Sequence, residues 1–189
     1  ILPLSRLIGF GSIRYHAVHW DEVEKVKGQY KFTELDDFFQ KAHELGYTDD
    51  RIILNVFGVP QWASSRPEAD WINICMREYA TVIPRDMQDW RNFLQTTMRR
   101  YPNIRNWELW NEPHLIGFSC FWADSTENFI QLLKAGYETV KAENPNNVVI
   151  MGGIGMRYLP FYKEFLEKGG GKYYDVFGVH SASRQLFNR

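Results

Sequence analysis

Residues 107–113 read Trp-Glu-Leu-Trp-Asn-Glu-Pro, a short apolar stretch that reaches a carboxylate and is stopped at once by proline. Glu112 thus stands at the carboxyl end of what reads as a buried strand, where barrel enzymes keep their catalytic groups. A strand-end glutamate can equally be paired with a neighbouring arginine or simply solvated, and an Asn-Glu-Pro tripeptide alone does not choose. The flanking tryptophans and the pattern of the rest of the chain do.

A carboxylate in that position needs strands to hold it, and the chain alternates strand and helix throughout. A first strand lies near Gly11–His16, with Ile13, Tyr15 and Ala17 on one face and Arg14 and His16 on the other. The spacing of Leu35, Phe38, Phe39, Ala42 and Leu45 predicts a helix over Thr33–Leu45, capped by Thr33 and ended by Gly46. Arg51–Phe57 is a nearly continuous apolar run, the kind buried on both faces of a sheet. Pro84 is expected to open a helix carrying Met87, Trp90, Leu94, Met98 and Tyr101 on one face, closed by Pro102. The Trp107–Asn111 strand follows. Next comes a helix from a capping-box pattern at Asp124-Ser-Thr-Glu127 to the stop at Asn144-Pro145. Asn147–Met151 reads as a strand, Pro160 starts a short helix ended by Gly169-Gly170-Gly171, and Tyr173–Val179 is the last strand.

Alternation of this kind, with mostly apolar strands, argues for an α/β fold with a parallel sheet covered by helices. A doubly wound sheet and an eight-fold barrel both satisfy it. A nucleotide-binding doubly wound domain should carry a glycine-rich turn after its first strand. Gly152-Gly153-Ile154-Gly155 comes late, lacks the remaining glycine, and reads as a flexible strand-to-helix loop. Polar and aromatic residues at the carboxyl ends of several strands favour the (β/α)8 TIM barrel.

Composition excludes several classes. The 189 residues can bury a sizeable core as one domain, 1–189, and a net charge of −1 offers no field for nucleic acid or anionic membrane. No run approaches the length of a membrane span, and the amino terminus carries no signal-peptide pattern. Aromatics reach 16%, with 7 Trp. Many must be core, and stacking platforms for sugar rings are the other common use of so much Trp and Tyr. Trp62 and Trp122 fall in loops after strands, where either role is open. Cys75 and Cys120 lack metal-ligand spacing. They fall in loops at one end of a barrel, so a disulfide is geometrically possible, although two separate thiols are the expectation.

With these residues in view, the chain resembles the clan A retaining glycoside hydrolases, most closely family 39 (β-xylosidase and α-L-iduronidase relatives), with family 5 next. The resemblance runs from about Gly9 to His180. It rests on Ile13-Arg-Tyr-His16, on Trp20-Asp-Glu-Val-Glu24 with Gly28-Gln-Tyr30 and Leu35-Asp36, on Val59-Pro-Gln-Trp62, and on Asp89-Trp90. It continues through Arg100-Tyr101-Pro102, Trp107–Pro113 and Asp175–His180. It implies that Trp107–Pro113 is the fourth barrel strand and that Glu112 is the general acid/base. Asn111 would bind the sugar 2-hydroxyl, and Arg14 would keep the nucleophilic carboxylate ionised. His16 faces the same way as Arg14, and His180 matches a substrate-contacting histidine, although the aromatic often found two positions on is Ala182 here. Read from the residues alone, Arg14 is as well a salt-bridge partner of Glu108, and His16 a hydrogen-bonded core histidine. Strict alternation would put Asn111 and Glu112 on opposite faces, so the strand must bend or end between them.

The same resemblance numbers the strands as the second to the sixth, about five β/α units of an incomplete barrel. The seventh strand carries the family's nucleophilic glutamate, and no residue here stands in for it: Glu164 and Glu167 lie on a helix, Glu22 and Glu24 in a loop. The chain therefore reads as a fragment with an acid/base and no nucleophile, inactive alone and prone to self-association through open strand edges unless the missing barrel segments are supplied. The other reading is a non-catalytic carbohydrate-binding or scaffolding relative. An aldolase-like or enolase-like barrel would want a Schiff-base lysine or clustered metal carboxylates on its strands, and none of the five expected strands ends with them, so neither metal nor cofactor is expected. The partner expected is a carbohydrate. A secreted, periplasmic or lysosomal location follows from the resemblance only.

Overall fold

The computed structural model describes residues 2–71, 76–114, 121–155 and 159–180. Five strands form one sheet: β1 (Ile13–His19), β2 (Ile52–Phe57), β3 (Asn106–Leu109), β4 (Val148–Gly155) and β5 (Val176–His180). Spatial order equals sequence order, and every neighbouring pair is parallel. A doubly wound sheet reverses its order at a switch point, whereas a barrel winds its units one way round. The unreversed order makes these five strands part of a (β/α)8 barrel.

The helices are α1 (Leu2–Leu7), α2 (Trp20–Val23), α3 (Thr33–Glu44), α4 (Met87–Arg100), α5 (Thr126–Glu143) and α6 (Leu159–Glu167). α3 buries Leu35, Phe39 and Ala42, and α4 buries Trp90, Phe93, Leu94 and Met98. Their apolar stripes cover the sheet face formed by Leu54, Trp107 and Val149, which are in register across β2, β3 and β4. Trp20, Trp90 and Phe93 pack ring on ring beside it. Register then places Asn55, Glu108 and Ile150 together on the opposite, barrel-interior face. Among the described residues no helix is long and apolar enough to cross a membrane.

Several boundaries differ from the sequence expectation, each for a local reason. α1 has no counterpart in the expected elements. Thr33 is the first helical residue of α3 rather than its cap, a position taken by Phe32. α4 starts at Met87, not Pro84, because the Asp86 carboxylate accepts the Gln88 N–H at 2.8 Å. α5 is capped by Ser125, one residue later than the expected box, with Oγ accepting the Asn128 N–H at 3.1 Å. Asp124 instead accepts from Ile83 N at 3.2 Å and ties two loops together. β5 starts at Val176, after a 3-10 turn over Gly170–Lys172 that follows the left-handed Gly169.

Two strands also slip register. β1 gains one residue between Tyr15 and Val18 against Leu54 and Val56, with Ala17 at φ 82. This bulge turns the alternation over. His16 and His19, three apart, consequently both lie against the Phe57 ring, at 6.0 and 4.6 Å between centroids. β4 slips between Met151 and Ile154. The Gly152–Gly155 stretch is therefore strand, not the flexible loop expected of it. Cys75, Cys120 and Ala182 lie outside the described residues, and so does the question of a disulfide.

The core makes a simple prediction. Leu94 is fully buried between α4 and the sheet, whereas Leu166 on α6 is 42% exposed. Leu94→Ala should cost about 2–5 kcal/mol of folding stability, and Leu166→Ala within about 0.5. Urea unfolding of the two variants measures the contrast. Equal costs would mean that α4 is not seated on the sheet.

Candidate active site

Glu108 is the centre from which the site is built. It faces the interior of β3 with its side chain 4% exposed, a position in which a carboxylate must be paired. Arg14, one strand beyond β2, supplies the pair. Its Nε and Nη2 grip the two carboxylate oxygens, the second at 3.0 Å. The Gly153 N–H of β4 donates to Oε1 at 3.2 Å. One carboxylate thus links β1, β3 and β4.

The same guanidinium reaches further. Nη2 donates to Asn111 Oδ1 at 3.0 Å and Nη1 to His16 Nδ1 at 3.0 Å. An arginine has no acceptor, so His16 Nδ1 must be the acceptor and the ring neutral. Burial, followed by the Arg14 charge, holds the His16 pKa below its ordinary value.

β3 ends at Leu109, earlier than the expected Asn111, because Trp110 adopts φ 72 and Glu112 φ 42. With the alternation broken there, Asn111 turns to Arg14 while Glu112 Oε1 meets His180 Nδ1 at 2.9 Å. His180, at the end of β5, lies against Gly153, where any side chain would overlap the imidazole. Glu112 and His180 are each about a third exposed, so the pair opens to solvent.

Of the residues singled out in the sequence, Arg14 and His16 from β1, Asn111 and Glu112 from just past β3, and His180 from the end of β5 come together. Trp62 stands apart. It is half-buried, its indole N–H donates to Glu24 O at 2.7 Å, and the Lys27 ammonium sits 5.2 Å over its ring. Trp122 as a stacking platform is corrected: it is 0% exposed, wedged edge-on to Trp110 at 5.0 Å, and has no face to offer a sugar. Among the described residues no three His, Cys, Asp or Glu side chains are placed to hold a metal ion.

Sequence reasoning passed over three neighbours. Asn55 was hidden in an apolar run, although a lone amide in a buried strand is itself a signal. His19 is brought in by the β1 bulge, which nothing in the sequence announced. His114, two residues past Glu112, is buried and accepts the Gly155 N–H on Nε2 at 3.4 Å. Burial pushes its pKa down from 6.5 to about 4, against the opposing pull of the Glu112 charge.

His114 therefore makes stability pH-dependent. The folded pKa lies below the unfolded one, so the unfolded chain takes the proton first on acidification. Its contribution is fully present above pH 6.5 and is lost as the pH falls toward about 4. His114→Gln should flatten the stability–pH slope in that window, read from urea midpoints between the two pH values. An unchanged slope would show that His114 is not buried as a neutral ring.

No protein-family model matches the chain, and no curated protein matches it either. Solved structures do. One is a family 39 glycoside hydrolase from the gut symbiont Bacteroides cellulosilyticus WH2, 25% identical with a TM-score of 0.69. Another is a monomeric beta-xylosidase from Caulobacter crescentus CB15, at 21% and 0.70, and a third is the GH39 enzyme from Xanthomonas axonopodis pv. citri, at 21% and 0.69. The alignments cover 95% of this chain in all three cases, and 34%, 37% and 36% of the respective structures. The chain thus spans about a third of the length of the structures it matches, and over that span its fold is that of the family 39 glycoside hydrolases.

Proposed function

We propose that this chain supplies the acid/base side of the active site of a retaining glycosidase, with a β-xyloside as the first substrate to try. One observation supports the reading above the others. Glu112 lies in the bend three residues past the end of β3, with its carboxyl partly open to solvent and paired with His180, while the next residue back is held by Arg14. The xyloside comes from the named activity of one structural neighbour.

The chemistry asks for such a group. A sugar alkoxide leaves poorly, so Glu112 as a carboxylic acid protonates the glycosidic oxygen as a second carboxylate attacks the anomeric carbon. As carboxylate it then takes a proton from the water that hydrolyses the glycosyl-enzyme. With Oδ1 of Asn111 engaged by Arg14, its Nδ2 is left to donate to a sugar hydroxyl. This reading assigns one of the two carboxylates that a double displacement needs, and it leaves the nucleophile to a residue outside the described set.

Glu112→Gln in the full-length protein tests the assignment. Hydrolysis of glycosides with unactivated leaving groups should fall by about 100-fold or more, and the first step with activated aryl glycosides should be largely spared. Azide should then restore turnover, since a small anion attacks the glycosyl-enzyme without a base. Equal loss on both classes without rescue would remove Glu112 from the acid/base role. Sugar binding with no turnover in the unmutated protein would favour a carbohydrate-binding relative instead.

A further inference from the structure

The bend after β3 is unfavourable in itself. Left-handed backbone at residues with a side chain costs roughly 1–2 kcal/mol each, and both Trp110 and Glu112 adopt it. Such strain persists only where the surroundings over-determine it. Three constraints converge on the Trp110 backbone. Its N–H donates to Val56 O at 2.8 Å, as a continuing strand would. Its carbonyl accepts from Asn55 Nδ2 at 2.6 Å. On the β4 side, any side chain at Gly152 would overlap that same carbonyl oxygen.

Asn55 is fully buried in the middle of β2, and its Oδ1 has no hydrogen-bond partner among the described residues. A half-satisfied amide in an apolar strand is costly, on the order of 1–3 kcal/mol. Its amide N–H compensates by pairing a carbonyl turned toward it at the end of the β3 ladder. The peptide it holds leads directly into Asn111, which meets Arg14, and Glu112, which meets His180.

We infer that Asn55 is a positioning residue for Glu112: its side-chain amide, opposite the bare Gly152, clamps the Trp110 carbonyl and so fixes the bend that aims the acid/base carboxyl. The inference rests on the reading of Glu112 as acid/base. A proton donor displaced by about an ångström can lose on the order of 100-fold in rate while the protein stays folded.

The test is kcat/KM across aryl β-xylosides of graded leaving-group ability, or the aryl glycoside series that a substrate screen selects. It compares unmutated full-length protein, Asn55→Asp, Asn55→Ala and Glu112→Gln. Because kcat/KM reports the steps through the first bond cleavage, it isolates proton donation to the leaving group. Both Asn55 variants should lose about 10–100-fold on poor leaving groups and less than about 3-fold on activated ones. Asn55→Asp keeps the shape but turns an acceptor toward the carbonyl. Taken as a ratio to the unmutated protein at each pH, its loss should shrink from about pH 7.5 to about pH 5, as the buried carboxyl protonates and can donate again. Asn55→Ala should show no such recovery. Loss spread evenly over all leaving groups, or no recovery in Asn55→Asp, overturns the clamp while a selective Glu112→Gln leaves the acid/base reading standing. A non-selective Glu112→Gln removes both. Should Asn55→Asp fail to fold at neutral pH, as its unfolding midpoint would show, the leaving-group profile of Asn55→Ala decides alone.

Discussion

A buried carboxylate inside a parallel sheet is the constraint around which this structure is arranged. Glu108 cannot be left unpaired in the barrel interior, where removal of its partner would leave a charge costing several kcal/mol. Its position in the register fixes the answer. Asn55 lies beside it on β2, so the cation must reach across from β1, and only the long, forked side chain of Arg14 spans β2 and meets both oxygens. The third bond, from Gly153 N, brings in β4 at the point where that strand slips register. Three strands are thus located relative to one another by a single side chain, and Arg14, His16, Asn111 and Glu112 lie on or next to two of them.

The second constraint is that a strand delivers alternate residues to alternate faces. A site that needs neighbours such as Asn111 and Glu112 together has to break that rule, and the sheet breaks it locally: at Ala17 in β1, at Trp110 and Glu112 after β3, and at Gly152–Gly153 in β4. Each break lies toward the carboxyl end of its strand. The amino-terminal parts remain regular and are covered by the aromatic packing of α3, α4 and α5. Irregularity is therefore concentrated toward one end of the sheet, while α3 is tied to the end of α4 by Asp36, which accepts from both Arg100 and Tyr101.

Much of this was legible in the sequence, and what was not has physical reasons. The periods of the helices and the apolar strands gave the alternation, and the spacing of Arg14 and His16 gave their common face. Trp107–Pro113 marked the strand end that holds Glu112. Register is what sequence does not encode locally. The β1 bulge cannot be read from Tyr15-His16-Ala17-Val18, because alanine carries no turn signal, so His19 went unseen. Gly152-Gly153 resembled a loop since glycine is usually conformational punctuation. Here its use is steric, for those positions lie against the Trp110 carbonyl and the His180 ring. Trp122 stayed open for a different reason: a loop tryptophan suits a sugar platform or the core equally, and only its packing against Trp110 and Phe129 reveals it as core.

The hydrogen bonds of Arg14 also limit what it can do for a ligand. A guanidinium carries five N–H groups. Two are taken by Glu108, one by Asn111 and one by His16, all within this chain. Among the described residues a single Nη1 proton remains. Arg14 in this arrangement cannot grip a second carboxylate with both arms, as it grips Glu108, and any anion it meets is held edge-on through that one bond. Its charge is already balanced by Glu108, so what it contributes to an incoming group is direction more than field. In a cluster built this way, the guanidinium serves first as the rigid template that orients the buried Asn111 amide and the His16 ring.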